Sequence, residues 1–488
     1  MDICFINPAP VSYIRERGHE KTGAYPPLGI LSIIAYLKQE GYDNNILIDQ
    51  HATKEPTVSV LEKVRDFDPD VIGFNSITDI NMGVQAVKIA EKVKQFNPNV
   101  KNVFGNYHAT FNHRRLLEKY PFIDICVRGE GEITFLELIK TIESQKESEN
   151  VRGITYRNSQ GKIKINEDRP LIKDLDSLPF PDRSILGKVQ YSQNYGGFNA
   201  DYGKFTTIQS SRGCTFNCAF CSQSKVSHQR WRGKSVDRVI EELQYLEELG
   251  YTNLYWVDDN FTNKPKRTIE LCREIRKNQL DFIWISEQRV DLVSKNLIEN
   301  MRKAGCRTIS LGIESANQRI LDYFNKQITP KMALDAANTI KDANIDFLMG
   351  TFIIGAPTET LEEIKRTFEF ACQLNIDFPQ FHIFGAIPGT EVWDDLVKSR
   401  KIDLDEYWET GVKTLIPPLK VVEKEMRKAY FDFILRPNFV IKQVIQTLTS
   451  IHRLKILFTN LGFFTDVKSV ERFLNFTTDT WTHGIELV

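Results

Sequence analysis

Apolar and polar positions fall into two long series, each reading strand, helix, strand. In the first series, apolar runs of strand length stand at 3–6, 45–48, 71–74, 103–104 and 123–127. Between them Leu28, Leu31, Ile34 and Leu37 recur at helical spacing up to Gly41. Val84, Ile89 and Val93 mark a second helix, and 135–142 a third. This alternation predicts a doubly wound parallel sheet over 1–145. Ligands of such sheets bind beyond the carboxyl ends of the strands. The tips facing that edge are Asn7-Pro8, Asn75-Ser76-Ile77-Thr78, 105–110 and 128–132. They are rich in Gly, Ser, Thr and Asn, which suits close backbone approach to a large polar ligand.

A connector follows at 146–204, with a hairpin turning at Ser159-Gln160-Gly161 and a proline-rich Leu178-Pro179-Phe180-Pro181-Asp182. The second series runs over 205–393, with strand candidates at 207–209, 253–257, 282–285, 308–313, 346–354 and 381–384. Helical patterns such as 236–249 and 334–343 separate them. These units predict a partial (β/α)6 barrel, whose chemistry would sit in the loops after the strands. The region 394–488 reads as mainly helical, with aromatic and basic residues mixed from Arg436 to Arg472. Its outer face could touch a membrane or an acidic partner. The simpler reading is a solvated face over ordinary apolar packing.

The formal net charge is −1, so no nucleic-acid partner is expected. No apolar run reaches the length of a transmembrane segment. Met1-Asp2-Ile3-Cys4-Phe5 lacks the basic start of a secretory signal. A soluble cytoplasmic protein is expected.

The eight cysteines do not form a disulfide pattern in a chain this long. Five of them, Cys4, Cys126, Cys272, Cys306 and Cys372, fall among apolar or helical patterns and read as small buried hydrophobes. Cys214, Cys218 and Cys221 differ, with C-x₃-C-x₂-C spacing on one short loop after the first barrel strand. A zinc site would need a second Cys or His pair nearby, and His228 stands alone. Three thiolates can hold three irons of a [4Fe–4S] cluster and leave the fourth open for a small molecule.

The trio on a barrel rim resembles the radical S-adenosylmethionine (SAM) superfamily. The resemblance implies that Cys214, Cys218 and Cys221 ligate the cluster. It places Phe220 near the SAM adenine, and Asp258 and Asp259 at the methionine amino group. It gives Gln288 and Arg289 to the carboxylate, Glu314 and Ser315 to the ribose, and Gly355 to the strand bordering adenine. A helix cap is the minor alternative for Asp258-Asp259-Asn260 and for Glu314-Ser315, and Pro388-Gly389-Thr390 reads as a turn.

The N-terminal region resembles the cobalamin-binding domain that precedes the barrel in a methyltransferase-type subgroup. Tyr25, Pro26 and Leu28, then Gly105, His108 and Thr110, then Gly129 and Glu130 carry that resemblance. With Asn75, Ser76 and Thr78 they are the implied cobalamin contacts. The sequence D-x-H-x-x-G, whose His ligates cobalt in many cobalamin proteins, is absent after the first strand. Asp49-Gln50-His51 copies only half of it, after the second strand. A base-off corrinoid without a His ligand is implied, with Tyr13, Tyr25, a water or nothing beneath the cobalt.

The activity implied is a cobalamin-dependent radical SAM C-methyltransferase. An external one-electron reductant would start SAM cleavage at the cluster. The resulting 5′-deoxyadenosyl radical would abstract hydrogen from an unactivated sp3 carbon, and methylcobalamin would supply the methyl group. A protein, peptide or other large substrate is the expectation. The alternatives are non-methylating chemistry, such as oxidative cyclisation or carbon–carbon coupling on a tetrapyrrole or lipid, and a cluster-bearing sensor with no SAM pocket.

Overall fold

Both strand-helix series form as their hydrophobic patterns require. A computed structural model describes residues 1–10, 24–76, 80–195, 198–199, 202–402 and 418–460. The N-terminal sheet comprises β1 (Ile3–Asn7), β2 (Asn45–Asp49), β3 (Val71–Asn75), β4 (Lys101–Gly105), β5 (Ile125–Val127), β6 (Ile154–Arg157) and β7 (Ile163–Ile165), in the order β2-β1-β3-β4-β5-β6-β7. The first five strands are parallel, and β6 and β7 add antiparallel. The hairpin of the connector thus extends this sheet beyond residue 145. β1 is buried along its whole length, as a central strand covered on both faces must be. The helix Leu28–Gln39 buries Leu31, Ile34 and Leu37 of the face read from its spacing, with Ile30 beside them, while Leu28 is half-buried.

The second sheet is wholly parallel and runs in chain order: β8 (Phe205–Ile208), β9 (Asn253–Trp256), β10 (Ile283–Arg289), β11 (Cys306–Glu314), β12 (Phe347–Ile354) and β13 (Phe378–Ile383). β8 and β13 are not paired to each other, so the barrel is open. Its helices carry strong local signals. Thr360 and Glu363 form a capping box at Leu361–Gln373. Thr329 caps Pro330–Asp342, with proline in the first turn. Trp256 and Trp284 meet edge to face with ring centres 6.1 Å apart, and both are buried. Burial of each such side chain stabilises the barrel by roughly 2–3 kcal/mol.

One apolar cluster joins the two sheets. Phe74, Ile89 and Phe104 of the N-terminal unit share it with Ala219, Phe324, Phe384 and Trp393 of the barrel rim. The turn at Gly389 fits only because it lacks a side chain. Its φ is +83°, and a Cβ there would sit 2.1 Å from the Phe111 ring. Thr390 caps the helix Glu391–Lys398. The cavities between the units therefore have a fixed frame.

The C-terminal helices correct one expectation. Leu419–Ile434 packs against the barrel, where the Phe381 N–H donates to Tyr430 Oη at 3.1 Å. Pro437–Thr449 buries no residue and leaves Val440, Ile441, Val444, Ile445 and Leu448 exposed. Its outer stripe is apolar, not solvated and polar. No helix of the described residues is long and apolar enough to cross a membrane.

Candidate active site

The three cysteines lie in the loop after β8, and the approach to them is tightly held. Ser211–Arg212 pairs antiparallel with Arg232–Gly233. Gly213 then turns with φ +88°, and a Cβ there would lie 2.0 Å from the Arg230 carbonyl oxygen. The Gly213 N–H donates to Asp259 Oδ2 at 2.6 Å. Cys218 is buried and Cys214 and Cys221 are half-buried. The Cys221 N–H donates to the Cys218 carbonyl at 3.1 Å, and the Ala219 N–H to that of Phe324 at 2.8 Å. Burial raises the Cys214 thiol and pushes that of Cys221 up to about 11. Arg289 Nη1 donates to Cys218 Sγ at 3.2 Å, and its guanidinium lies 3.7 Å from the centre of the Phe216 ring.

This donor set fits a cluster bound through three corners: three thiols on one loop and a cation beside one of them. Among the described residues, no three His, Cys, Asp or Glu side chains gather as a single metal ion requires. A cubane, with its irons at separate corners, does not require it.

A cavity of 340 Å³ opens beside the loop, at the carboxyl ends of the barrel strands. Phe220, Asp259, Gln288, Arg289 and Glu314 line it, all singled out by sequence. Glu314 has φ +68°, at an irregularity in the β11–β12 pairing. A non-glycine residue in the left-handed region is strained, and such strain gathers at functional sites. Lys326 Nζ lies 2.5 Å from Glu314 Oε1, with both side chains buried. Gln288 is buried and its Oε1 has no hydrogen-bond partner, and the same holds for Asn260 Nδ2 in this wall. Unsatisfied buried polar atoms facing a cavity fit a polar ligand such as SAM.

Three residues expected in this wall stand elsewhere. The Asp258 carboxylate accepts from the Ser211 hydroxyl at 2.6 Å and from the Ser210 hydroxyl at 3.0 Å. It is buried and fastens the start of the cysteine loop. Ser315 Oγ accepts from the Asn317 N–H at 3.1 Å, a local turn under β11. Gly355, with φ +82°, donates its N–H to Glu359 Oε2 at 2.6 Å. In their place the cavity takes Lys326, Ser310, Thr351 and His382, which no motif indicated.

A second cavity, of 570 Å³, lies between the two sheets. Its wall includes Leu28, Asn75, Gly105, Thr110, Gly129 and Glu130 as expected. A polar chain runs along the strand ends. Asn106 donates to Asn75 at 2.7 Å, Asn75 to Asn7 at 2.8 Å, and Asn7 to Asp49 at 2.8 Å. Tyr191 Oη closes it on the other Asp49 oxygen, at 2.8 Å. A Cβ at Gly29, Gly105 or Gly129 would meet nothing within 4 Å. At these three positions the wall is bare backbone, which fits close approach of a corrinoid.

Other expected contacts do not reach this wall. Tyr25 packs against Phe205 and Tyr255 with ring centres 5.7 and 5.4 Å away, and Pro26 is buried beside it. Ser76 is buried, its N–H donating to the Gly105 carbonyl at 3.0 Å. His108 is buried on the far side of its helix, where a Cβ at Gly83 would meet the ring at 3.7 Å. Burial lowers the His108 and His51 imidazoles to about 3, so both are neutral. No histidine occurs among the described lining residues. Thr78 and Tyr13 lie outside the described residues. Tyr107 and Glu132, within the expected tips 105–110 and 128–132, line the cavity, and so do Arg212 and Arg232, which were not singled out for it.

Asp259 belongs to both walls. Burial pushes its carboxyl up to about 6. Two cavities, one beside the cysteine trio and one over a doubly wound sheet, therefore adjoin at a single side chain.

Comparison with known proteins gives this arrangement a family. The radical SAM superfamily matches residues 208–371, and the B12 binding domain matches residues 18–139. An uncharacterised methyltransferase of Pyrococcus horikoshii is 36% identical over 430 residues, covering 86% of this chain and 90% of that protein. The chain belongs to the cobalamin-binding, methyltransferase-type branch of the radical SAM family. The cofactors of that branch are a [4Fe–4S] cluster, SAM and cobalamin. The anaerobic magnesium-protoporphyrin IX monomethyl ester cyclase of Rubrivivax gelatinosus is 31% identical over 418 residues, covering 83% of this chain and 72% of the cyclase. The same fold occurs in the radical SAM methyltransferase TsrM of Kitasatospora setae, with a TM-score of 0.66 and 17% identity, over 81% of this chain and 76% of that one.

Proposed function

We propose that this protein transfers a methyl group to an unactivated sp3 carbon of a small organic molecule bound between the two cavities. The observation that carries the reading is Asp259, which stands in the wall of both. When bound, the cluster supplies the electron that cleaves SAM, taken from an external one-electron reductant, and the corrinoid supplies the methyl group.

The chain's own residues have the following roles. Cys214, Cys218 and Cys221 hold the cluster, and Arg289 offsets its negative charge next to Cys218. Gln288, Asn260, Glu314 and Lys326 offer polar contacts to SAM, with Phe220 as an apolar wall. Asp259 is a carboxylate at the junction, placed to take the SAM amino group. Leu28, Asn75, Gly105, Thr110, Gly129 and Glu130 bear on the corrinoid. The apolar cluster shared by the two sheets fixes the frame around both cavities.

The sequence suggested a protein, peptide or other large substrate. The cyclase relative acts, by its name, on a tetrapyrrole ester, and this supports a smaller substrate. That same relative favours a second reading, ring formation without methyl transfer. Incubation with SAM deuterated in its methyl group, with small-molecule fractions of the host, separates the two. A deuterated product supports methyl transfer. A product altered in mass without the label overturns it in favour of cyclisation.

A further inference from the structure

The larger cavity also carries a set of charges that reaches back to the start of the cysteine loop, and of these the roles above use only Glu130. Glu130 and Glu132 both line the larger cavity, and both are bound by arginines flanking the cysteine loop. Arg212 Nη2 lies 2.6 Å from Glu132 Oε1, and its Nη1 lies 3.0 Å from Glu130 Oε1. Arg232 Nη1 lies 3.0 Å from Glu130 Oε2. The Ser32 hydroxyl donates to Glu132 Oε1 at 2.7 Å. The cluster lies largely out of water, with Glu132 3% exposed.

The geometry allows little slack. Gly131 sits so close to the helix Leu28–Gln39 that a Cβ would be 2.7 Å from Ile33 Cδ1. The Ser32 hydroxyl holds Glu132 and the Ile172 N–H donates to Glu130 Oε2 at 2.7 Å, so both glutamates are fastened on the corrinoid side. On the other side Arg212 precedes Gly213, whose N–H is fastened to Asp259 and whose Cα faces the Arg230 carbonyl. Cys214 follows directly. A ligand in the larger cavity that shifted Glu130 or Glu132 would pull on the two-pronged Arg212 guanidinium, two residues before Cys214. A fork bound to two carboxylates transmits position, whereas a lysine ammonium would not.

We infer that the Arg212–Glu130–Glu132 cluster couples the two cofactor sites, so that corrinoid in the larger cavity changes the affinity for SAM in the smaller one. Arg212 is here a positioning residue. The inference rests on the proposed occupancy of the two cavities. Coupling of this kind is reciprocal: SAM must change corrinoid affinity by the same factor.

Calorimetric titration of SAM into cluster-reconstituted protein, with and without saturating hydroxocobalamin, tests it. For the unaltered protein the two dissociation constants should differ by roughly 5-fold or more, in the range usual for coupled sites. In Arg212→Lys and in Glu132→Gln the ratio should fall to near one, with iron content retained and saturation by hydroxocobalamin checked by absorbance. Glu132→Gln keeps the size and a hydrogen-bond acceptor, and carries the test if Arg212→Lys does not fold. A ratio unchanged in the variants, or a ratio of one in the unaltered protein, overturns the coupling while leaving the proposed function intact. Absence of corrinoid binding to the unaltered protein overturns both.

Discussion

Lys326 Nζ sits 2.5 Å from Glu314 Oε1, and the pair forms one side of the cavity next to the cysteine loop. Gly312 is part of the arrangement, since a Cβ there would lie 2.9 Å from the Glu314 carboxylate and 3.1 Å from Lys326 Nζ. Glu314 is held in a strained backbone conformation, and Lys326 compensates its buried charge. Lys326→Ala should leave that carboxylate unpaired and weaken SAM binding by about 10-fold or more. Lys326→Arg should restore part of the affinity. Calorimetry on reconstituted protein reads both. Unchanged binding in Lys326→Ala would remove the pair from the site.

Cys218 is the most buried of the trio and the one that Arg289 contacts. Cys218→Ala should lower the iron bound per chain from about four toward zero. It should also abolish 5′-deoxyadenosine formation from SAM under reducing conditions. Circular dichroism should show the fold retained, because the loop is held by Asp258, Asp259 and Phe324 independently of the thiol.

The bare wall of the larger cavity can be filled without disturbing the core. Gly29 lies in the first turn of its helix, and a Cβ there would meet nothing within 4 Å. Gly29→Leu should leave stability unchanged or raise it by up to ~1 kcal/mol, since leucine is the better helix former. It should weaken hydroxocobalamin binding by roughly 10-fold or more, read by absorbance titration. Gly73→Val is the contrast. Its Cβ would stand 2.8 Å from the Phe5 ring, so the melting temperature should fall.

Glu359 gives a pH signature. Burial lifts its carboxyl from about 4.5 to about 7, against the pull of the Gly355 and Ala356 amides. The folded state therefore binds this proton more tightly than the unfolded chain. That contribution favours folding below about pH 4.5 and is lost as pH rises through about 7. Glu359→Gln removes the titration. Its stability relative to the unaltered protein should improve by on the order of 2–3 kcal/mol between pH 5 and pH 8. Denaturant unfolding at the two pH values checks this, and parallel profiles would contradict it.

The cysteine trio was legible because its chemistry is local: three thiols on one loop need no tertiary knowledge. The two parallel sheets were legible because strand and helix periods differ so sharply. Adjacent motif residues were not separable. Asp258 and Asp259, like Glu314 and Ser315, are neighbours where a strand gives way to a turn, and the path of the backbone there decides which side chain faces the cavity. Only the fold shows that Asp259 and Glu314 meet the cavity while Asp258 and Ser315 brace what lies behind it. Lys326 was hidden for a different reason, because the chain bend after Phe324 returns it to the rim. His108 was misplaced because a helical turn carries it behind Gly105 and Thr110.

The most direct measurement concerns the two cavities working as one site. The reconstituted protein is incubated with a low-potential reductant, methyl-deuterated SAM and a small-molecule substrate fraction, with and without added corrinoid. 5′-Deoxyadenosine should form together with a deuterium-labelled product, the latter only when corrinoid is present. A labelled product formed equally well without corrinoid, or formed by Cys218→Ala, would contradict it.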